Sequence, residues 1–73
     1  MLVVQIQGTI KDGTQRYARK EVADRNEFWD YCQSIKSDFE LMQARLMEET
    51  TTDRGLIQVN EIITHTYRKP KAQ

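Results

Sequence analysis

The first ten residues alternate between apolar and polar side chains. Four of the five even positions from 2 to 10 are aliphatic, and three of the odd positions are polar, namely Gln5, Gln7 and Thr9. A period of two residues is typical of a β-strand with one buried face. Lys11-Asp12-Gly13 follows at once, and its glycine can adopt the positive φ that a tight turn requires. The segment therefore predicts a β-hairpin, with a second strand over residues 14–22.

The length of the hairpin turn decides which residues of the two strands meet. A three-residue loop sets Ala18 beside Ile6 and Val22 beside Leu2 on the apolar face. A two-residue Asp-Gly turn would instead set Arg19 across from Ile6, which buries a charge beside an aliphatic side chain. We therefore favour the three-residue loop.

The next segment predicts one long helix. Asp24 can accept hydrogen bonds from the free N–H groups of a first turn, and Glu27 three residues later completes an acidic capping box. Apolar residues then recur at intervals of three and four: Phe28, Cys32, Ile35, Phe39, Met42 and Leu46. Because the stripe never changes phase, we expect a single helix over residues 25–49, nearly 40 Å long at about 1.5 Å per residue.

Residues 56–68 are rich in Ile, Val, Thr and Tyr, which favours a further strand. Its alternation is interrupted at Glu61, so we expect a β-bulge near Asn60 and Glu61. Two short strands joined by a tight turn are the alternative, disfavoured because the segment contains no glycine. Residues 69–73 form a short basic tail beyond a single domain of residues 1–68.

These elements predict a small α+β domain with the element order ββαβ. The helix lets the last strand lie beside the first and antiparallel to it, which gives a three-stranded antiparallel sheet of order 2-1-3. The long helix packs on one face of this sheet. The other face carries Val3, Gln5, Gln7 and Thr9, and it is polar enough to remain in water or to serve as a binding surface.

Composition narrows the functional class. Eleven basic side chains balance eleven acidic ones, so no whole-molecule field attracts nucleic acid or membrane. The single Cys32 cannot form an internal disulfide. No apolar run approaches the roughly 18 residues of a membrane span. We expect a cytoplasmic protein with no membrane partner.

Residues for catalysis or metal binding are sparse. The single histidine, His65, falls on the last predicted strand, whereas Cys32 falls in the apolar stripe, where a thiol behaves as a small hydrophobe. One histidine and one cysteine cannot supply the clustered ligands of a metal site. We therefore expect no enzymatic activity and no cofactor.

Charge is distributed unevenly along the chain. Residues 26–53 carry two basic and seven acidic groups, whereas residues 54–73 carry four basic groups and one acidic group. On the predicted helix, an exposed leucine lies at the centre of an acidic face, whose residues form the candidate protein-binding site: Asp30, Ser37, Leu41, Arg45 and Glu48. We expect a small non-catalytic accessory, adaptor or inhibitor of the phage type that binds another protein. The opposed charges also favour a homodimer, which would enlarge a marginal core.

The alternative function is weak binding of single-stranded nucleic acid. Basic and aromatic side chains interleave on the second and last strands, as on platforms that combine phosphate contacts with base stacking. The candidate residues are Arg16, Tyr17, Arg19, Lys20, Tyr67, Arg68, Lys69 and Lys71. Binding requires that they share one face of the sheet. The simpler interpretation is that edge strands carry basic residues to block aggregation.

Overall fold

A computed structural model describes residues 1–70, which form four strands and one helix. The elements are β1 (Leu2–Ile10), β2 (Gln15–Val22), α1 (Arg25–Ile35), β3 (Phe39–Thr51) and β4 (Ile57–Arg68). All neighbouring strands are antiparallel, in the order β2-β1-β3-β4. The α+β class is therefore confirmed, but the element order is ββαββ and the prediction of three strands was wrong.

The β1–β2 hairpin has the predicted register. Leu2 pairs with Val22, and Ile6 pairs with Ala18. Gly13 closes the three-residue loop with a φ of 87°, in the left-handed region that favours glycine. The apolar residues of both strands consequently lie on the same face.

The helix begins where predicted but ends early. The Asp24 carboxylate accepts a hydrogen bond from the Glu27 N–H at 2.9 Å, and the Glu27 carboxylate accepts one from the Ala23 N–H at 2.9 Å. The first bond is the one predicted for a capping box, whereas the second comes from the residue before the N-cap and not from the N-cap Asp24 itself. However, α1 ends at Ile35, and a short 3-10 turn, Lys36–Asp38, leads directly into β3. The prediction of a helix continuing to residue 49 was wrong.

Residues 39–51 form a strand because their apolar residues also satisfy a period of two. Met42, Ala44 and Leu46 are fully buried at alternate positions, although Ala44 lies outside the helical stripe. As a strand, the segment pairs with the free edge of β1 from Leu2 to Ile10. A helix there would leave those backbone groups of the most apolar strand without a partner. Tertiary pairing therefore decides between two periodicities that the segment fits equally well.

The last predicted strand is β4, which pairs with β3 at the edge of the sheet and not with β1. It is one continuous strand. Leu46 pairs with Ile63 and Met47 with Glu61, so Ile62 is the extra residue of a β-bulge. The predicted bulge near Glu61 is thus confirmed to within one residue, whereas the predicted sheet order ending at the third strand was wrong.

The core lies between α1 and one face of the sheet. Its largest fully buried side chains include Phe28 of α1, Ile6 of β1, and Met42 and Leu46 of β3. Truncating a buried aromatic such as Phe28 to alanine typically costs about 3–5 kcal/mol. Since α1 has only 11 residues, this single layer of contacts fixes the helix on the sheet.

β3 and β4 extend beyond the rest of the sheet. β1 reaches Glu48 of β3, but the β3–β4 pairing continues to Thr51 and Ile57. Met1 still forms two hydrogen bonds with the backbone of Glu49 at the base of this extension. Residues 49–59 form a two-stranded arm, and the described part of the chain measures 54 × 24 × 14 Å. The arm is the part of the sheet that α1 cannot cover.

Gly8 lies where β3 approaches β1 most closely. A Cβ atom at this position would overlap the carbonyl oxygen of Leu41 and lie 2.7 Å from Cδ1 of Phe39. The β1–β3 register shifts just beyond this point, between Thr9 and Ile10. Glycine is therefore required here by space and not by backbone conformation.

We expect Gly8→Ala to lower the free energy of unfolding by about 1–3 kcal/mol, because the added methyl group overpacks the β1–β3 contact. Urea denaturation measures the change. Gln5→Ala, at an exposed position of the same strand, is the control and should stay within about 0.5 kcal/mol of the unsubstituted protein. Equal stability of Gly8→Ala and the unsubstituted protein would contradict the close approach.

Candidate protein-interaction surface

The face of the sheet away from α1, called the open face below, is covered by no helix or strand among residues 1–70. The four β1 residues predicted for this face do lie on it: Val3, Gln5, Gln7 and Thr9. Cross-strand pairing adds alternate residues of the other three strands. One whole side of the domain is thus available for contacts.

Two ion pairs connect strands across the open face. Nη2 of Arg19 on β2 lies 3.0 Å from Oε1 of Glu49 on β3. Nε of Arg45 on β3 lies 3.7 Å from Oε1 of Glu61 on β4. Because both pairs are partly exposed, each contributes at most about 1 kcal/mol to stability. Their larger effect is that two of the arginines on this face already have anionic partners.

A small apolar cluster lies beneath the first ion pair. Val3 and Met47 pair directly across β1 and β3, and their exposed fractions are 0% and 8%. Arg19 pairs with Gln5, and Glu49 lies two residues beyond Met47. The register therefore makes the ion pair cross β1 at the level of Val3. The aliphatic stem of Arg19 can then shield Val3 from water.

Other apolar side chains of the open face remain exposed. Tyr17 is 77% exposed and Leu41 is 38% exposed, on the half of the face near the β1–β2 loop. Ile57 and Val59, on the arm, are 67% and 51% exposed. A lone exposed apolar residue is ordinary. Several on one uncovered face, interleaved with arginines, resemble the composition of protein interfaces.

The structure disperses the predicted protein-binding residues. Asp30 lies on α1, and Ser37 lies in the 3-10 turn, beside a depression of about 430 Å³. Leu41 and Arg45 lie on the open face, whereas Glu48 lies on the opposite face of β3. The acidic helix face predicted around Leu41 was wrong, because residues 39–51 are a strand. The actual helix and its 3-10 turn, residues 25–38, carry three acidic and two basic side chains.

The predicted nucleic-acid-binding residues occupy two edges of the sheet. β2 and β4 are the outermost strands of the described sheet, so the basic groups of one strand lie far from those of the other. They also occupy two faces. Tyr17, Arg19 and Arg68 lie on the open face, whereas alternate positions place three more on the side of α1: Arg16, Lys20 and Tyr67. The requirement that these groups share one face is not met.

Some of these groups already have partners on the side of α1. Nζ of Lys20 lies 4.9 Å from the centre of the Tyr31 ring, and the Tyr67 ring lies 5.5 Å from Nζ of Lys36. The Lys69 N–H donates a backbone hydrogen bond to the carbonyl oxygen of residue 40 at 2.9 Å. Lys71 lies outside the described residues. The two ring contacts give Lys20 and Tyr67 local structural roles, and the backbone bond extends the β3–β4 pairing to Lys69.

A cleft of about 230 Å³ separates α1 from β4. The Trp29 ring lies at its wall, edge-on to His65 with ring centres 5.1 Å apart. Cys32 also lines this cleft, but it is 3% exposed, and burial raises the pKa of its thiol above the ordinary value of 9.0. Cys32 is a core residue, as predicted. Within residues 1–70, no group of three or more His, Cys, Asp or Glu side chains is arranged to hold a metal ion.

Sequence reasoning missed two parts of the open face, the arm and the Val3–Met47 pair. The signal for the arm was the alternation of Met42, Ala44 and Leu46, followed by the β-branched run at residues 50–52. The burial of Val3 had no comparable signal, because Met47 on β3 and the Arg19–Glu49 ion pair come from segments far away in the sequence.

We expect native Cys32 to react with a disulfide reagent at pH 8 roughly tenfold or more slowly than in guanidinium-unfolded protein, because burial hinders access and disfavours the thiolate. Absorbance of the released thiol measures the rate. Cys32→Ala, which should release nothing, is the control. A native reaction as fast as that of the unfolded chain would contradict the core position of Cys32.

No helix among the described residues is long and apolar enough to cross a membrane. Comparison of the chain with protein-family models, curated proteins and solved structures finds no match.

Proposed function

We propose that this protein is a non-catalytic accessory, adaptor or inhibitor that binds another protein through the open face of its sheet. The observation that carries the proposal is the exposure of Tyr17 and Leu41 on a face that no element of residues 1–70 covers. Aromatic residues and arginine are enriched at the centres of protein interfaces. The open face supplies both residue types next to each other.

The charge order on the open face indicates the chemistry of the partner. Arginines 19, 45 and 68 lie towards the β1–β2 loop, and glutamates 21, 49 and 61 lie towards the arm. A partner surface with acidic groups opposite the loop end and basic groups opposite the arm would match this order. The sheet is held by backbone pairing along four strands, so little conformational entropy is lost when it binds.

Binding of single-stranded nucleic acid remains the alternative, and one observation favours it: Tyr17 is available for stacking. The open face offers less to a polyanion. Arg19 and Arg45 are paired with glutamates, and Glu21 lies on the same face. Glutamates repel phosphates, so the net attraction is small.

We expect the double substitution Tyr17→Thr and Leu41→Thr to weaken capture of the partner roughly tenfold or more, since it removes the two apolar anchors. Threonine suits a strand, so the fold should persist. Pull-down from host lysate with immobilised protein, quantified by mass spectrometry, measures the loss.

Asp30→Asn on α1 is the matched control and should retain the partner. If the open-face variant captured the same protein as efficiently as the unsubstituted chain, the proposal would fail. Titration with a labelled oligonucleotide at low salt separates the alternative. Affinity there that is better than millimolar and reduced by the Tyr17 and Leu41 substitutions would favour nucleic acid instead.

A further inference from the structure

The two edges of the sheet differ in their protection against pairing with another strand. Half of the eight residues of β2 are charged. β4 has 12 residues with only two charges, Glu61 and Arg68, and contains neither proline nor glycine. Charged residues and proline are the usual devices that keep an exposed edge from pairing. β4 is the longer edge and carries fewer of these protective residues.

We propose that β4 pairs with the β4 of a second copy of this chain, antiparallel about a two-fold axis, so that two sheets join into one. In such an isologous contact, every pair of residues occurs twice, because the two copies exchange roles across the axis. The inference is independent of the proposed function, because it uses the edge of the sheet and leaves the open face free.

The bulge at Ile62 makes full-length pairing of β4 possible. Paired residues of an antiparallel sheet share a face. A regular strand with an even number of residues, paired end to end with itself, would bring opposite faces together. In β4, the bulge puts odd positions up to Glu61 and even positions from Thr64 on the same open face. With the axis between Ile62 and Ile63, all 12 residues of β4 then pair face to face.

The resulting pairs are chemically compatible. Glu61 meets Thr64 of the second copy, and Val59 meets Thr66 of the second copy, on the open face. On the other face, Ile62 meets Ile63 of the second copy next to the axis. Both isoleucines are partly buried against the core, so they extend an existing apolar layer. Neither of the two charged residues of β4 faces a like charge.

β2 fails the same test. It has eight residues and no register shift against β1, so pairing with itself must slip by one residue to keep faces together. One slip places Arg16 opposite Lys20 of the second copy, and the other places Arg19 opposite Arg19 of the second copy. Like charges directly opposite are destabilising. Self-pairing is therefore specific to the β4 edge.

The surroundings of β4 favour the same contact. Trp29, 39% exposed, lies against His65 at this edge. In the proposed register, Asn60 of the second copy, next to the arm of that copy, lies opposite His65 and would cover part of the tryptophan. Each arm, which extends beyond its own β1, would gain a neighbouring strand in the second copy. The proposed dimer thus adds contacts to the two parts that are most exposed at this edge, the Trp29 side chain and the arm.

The test uses two double variants that differ at one residue. Val59→Lys with Thr66→Lys places like charges across the interface twice, whereas Val59→Lys with Thr66→Glu places opposite charges there. Within one copy these positions are about 20 Å apart along the strand. A difference in association between the variants therefore reports contact between copies. Sedimentation equilibrium at several concentrations measures it, with circular dichroism to confirm folding.

We expect the unsubstituted chain to approach twice 8.6 kDa as its concentration rises. The Lys/Lys variant should dissociate at a concentration about tenfold or more above that of the Lys/Glu variant, and high salt should reduce the difference. A constant 8.6 kDa for the unsubstituted chain up to millimolar concentration would overturn the proposal. So would equal association of the two variants, whether both dimerise or both remain monomeric.

Discussion

The pairing of β1 on both of its edges is the interaction on which the rest of the fold depends. β1 is the most apolar strand, and its even positions face α1 while β2 and β3 satisfy its backbone groups. Because β3 takes the second edge, residues 39–51 are extended and α1 stops at Ile35. The exposure of the open face, the arm and the position of β4 all follow from that one choice.

The hairpin, the helix start and the bulge could be predicted because each depends on residues close in sequence. The Asp-Gly turn, the Asp24–Glu27 capping box and the break at Glu61 are local signals. The end of the helix is different. Residues 40–49 are rich in Glu, Leu, Met, Gln, Ala and Arg, which are the strongest helix formers. Local propensity therefore favoured a helix, and only pairing with β1, more than 30 positions away, could overrule it.

The candidate surface was predictable only in part. The polar residues of β1 on the open face follow from alternation alone. Leu41 and Arg45 were selected for an exposed helix face. They belong to the open face because β3 is a strand whose odd positions from Leu41 onward point away from α1. Helical spacing also grouped Asp30, Ser37 and Glu48 with them. Because the helix ends at Ile35, these three residues lie on different parts of the structure. A wrong local structure thus changes which residues share a surface even when their exposure is correct.

The arrangement of charged residues explains why the open face suits side-chain contacts, whereas the β4 edge suits pairing with another strand. A sheet with equal numbers of both charges attracts no long-range partner, so binding depends on local order. On the open face, two cross-strand ion pairs neutralise charges on neighbouring strands, and apolar side chains remain exposed towards both ends of the face. At the edges of the sheet, charged side chains decide whether another strand can pair. Like charges directly opposite each other disfavour a register. β2 has four charged residues, whereas β4 has only two, and three residues of β4 pack against the core instead: Ile62, Ile63 and Tyr67. Because Ile62, Ile63 and Tyr67 pack against the core, fewer positions of β4 are left for charged residues that would oppose pairing with another strand.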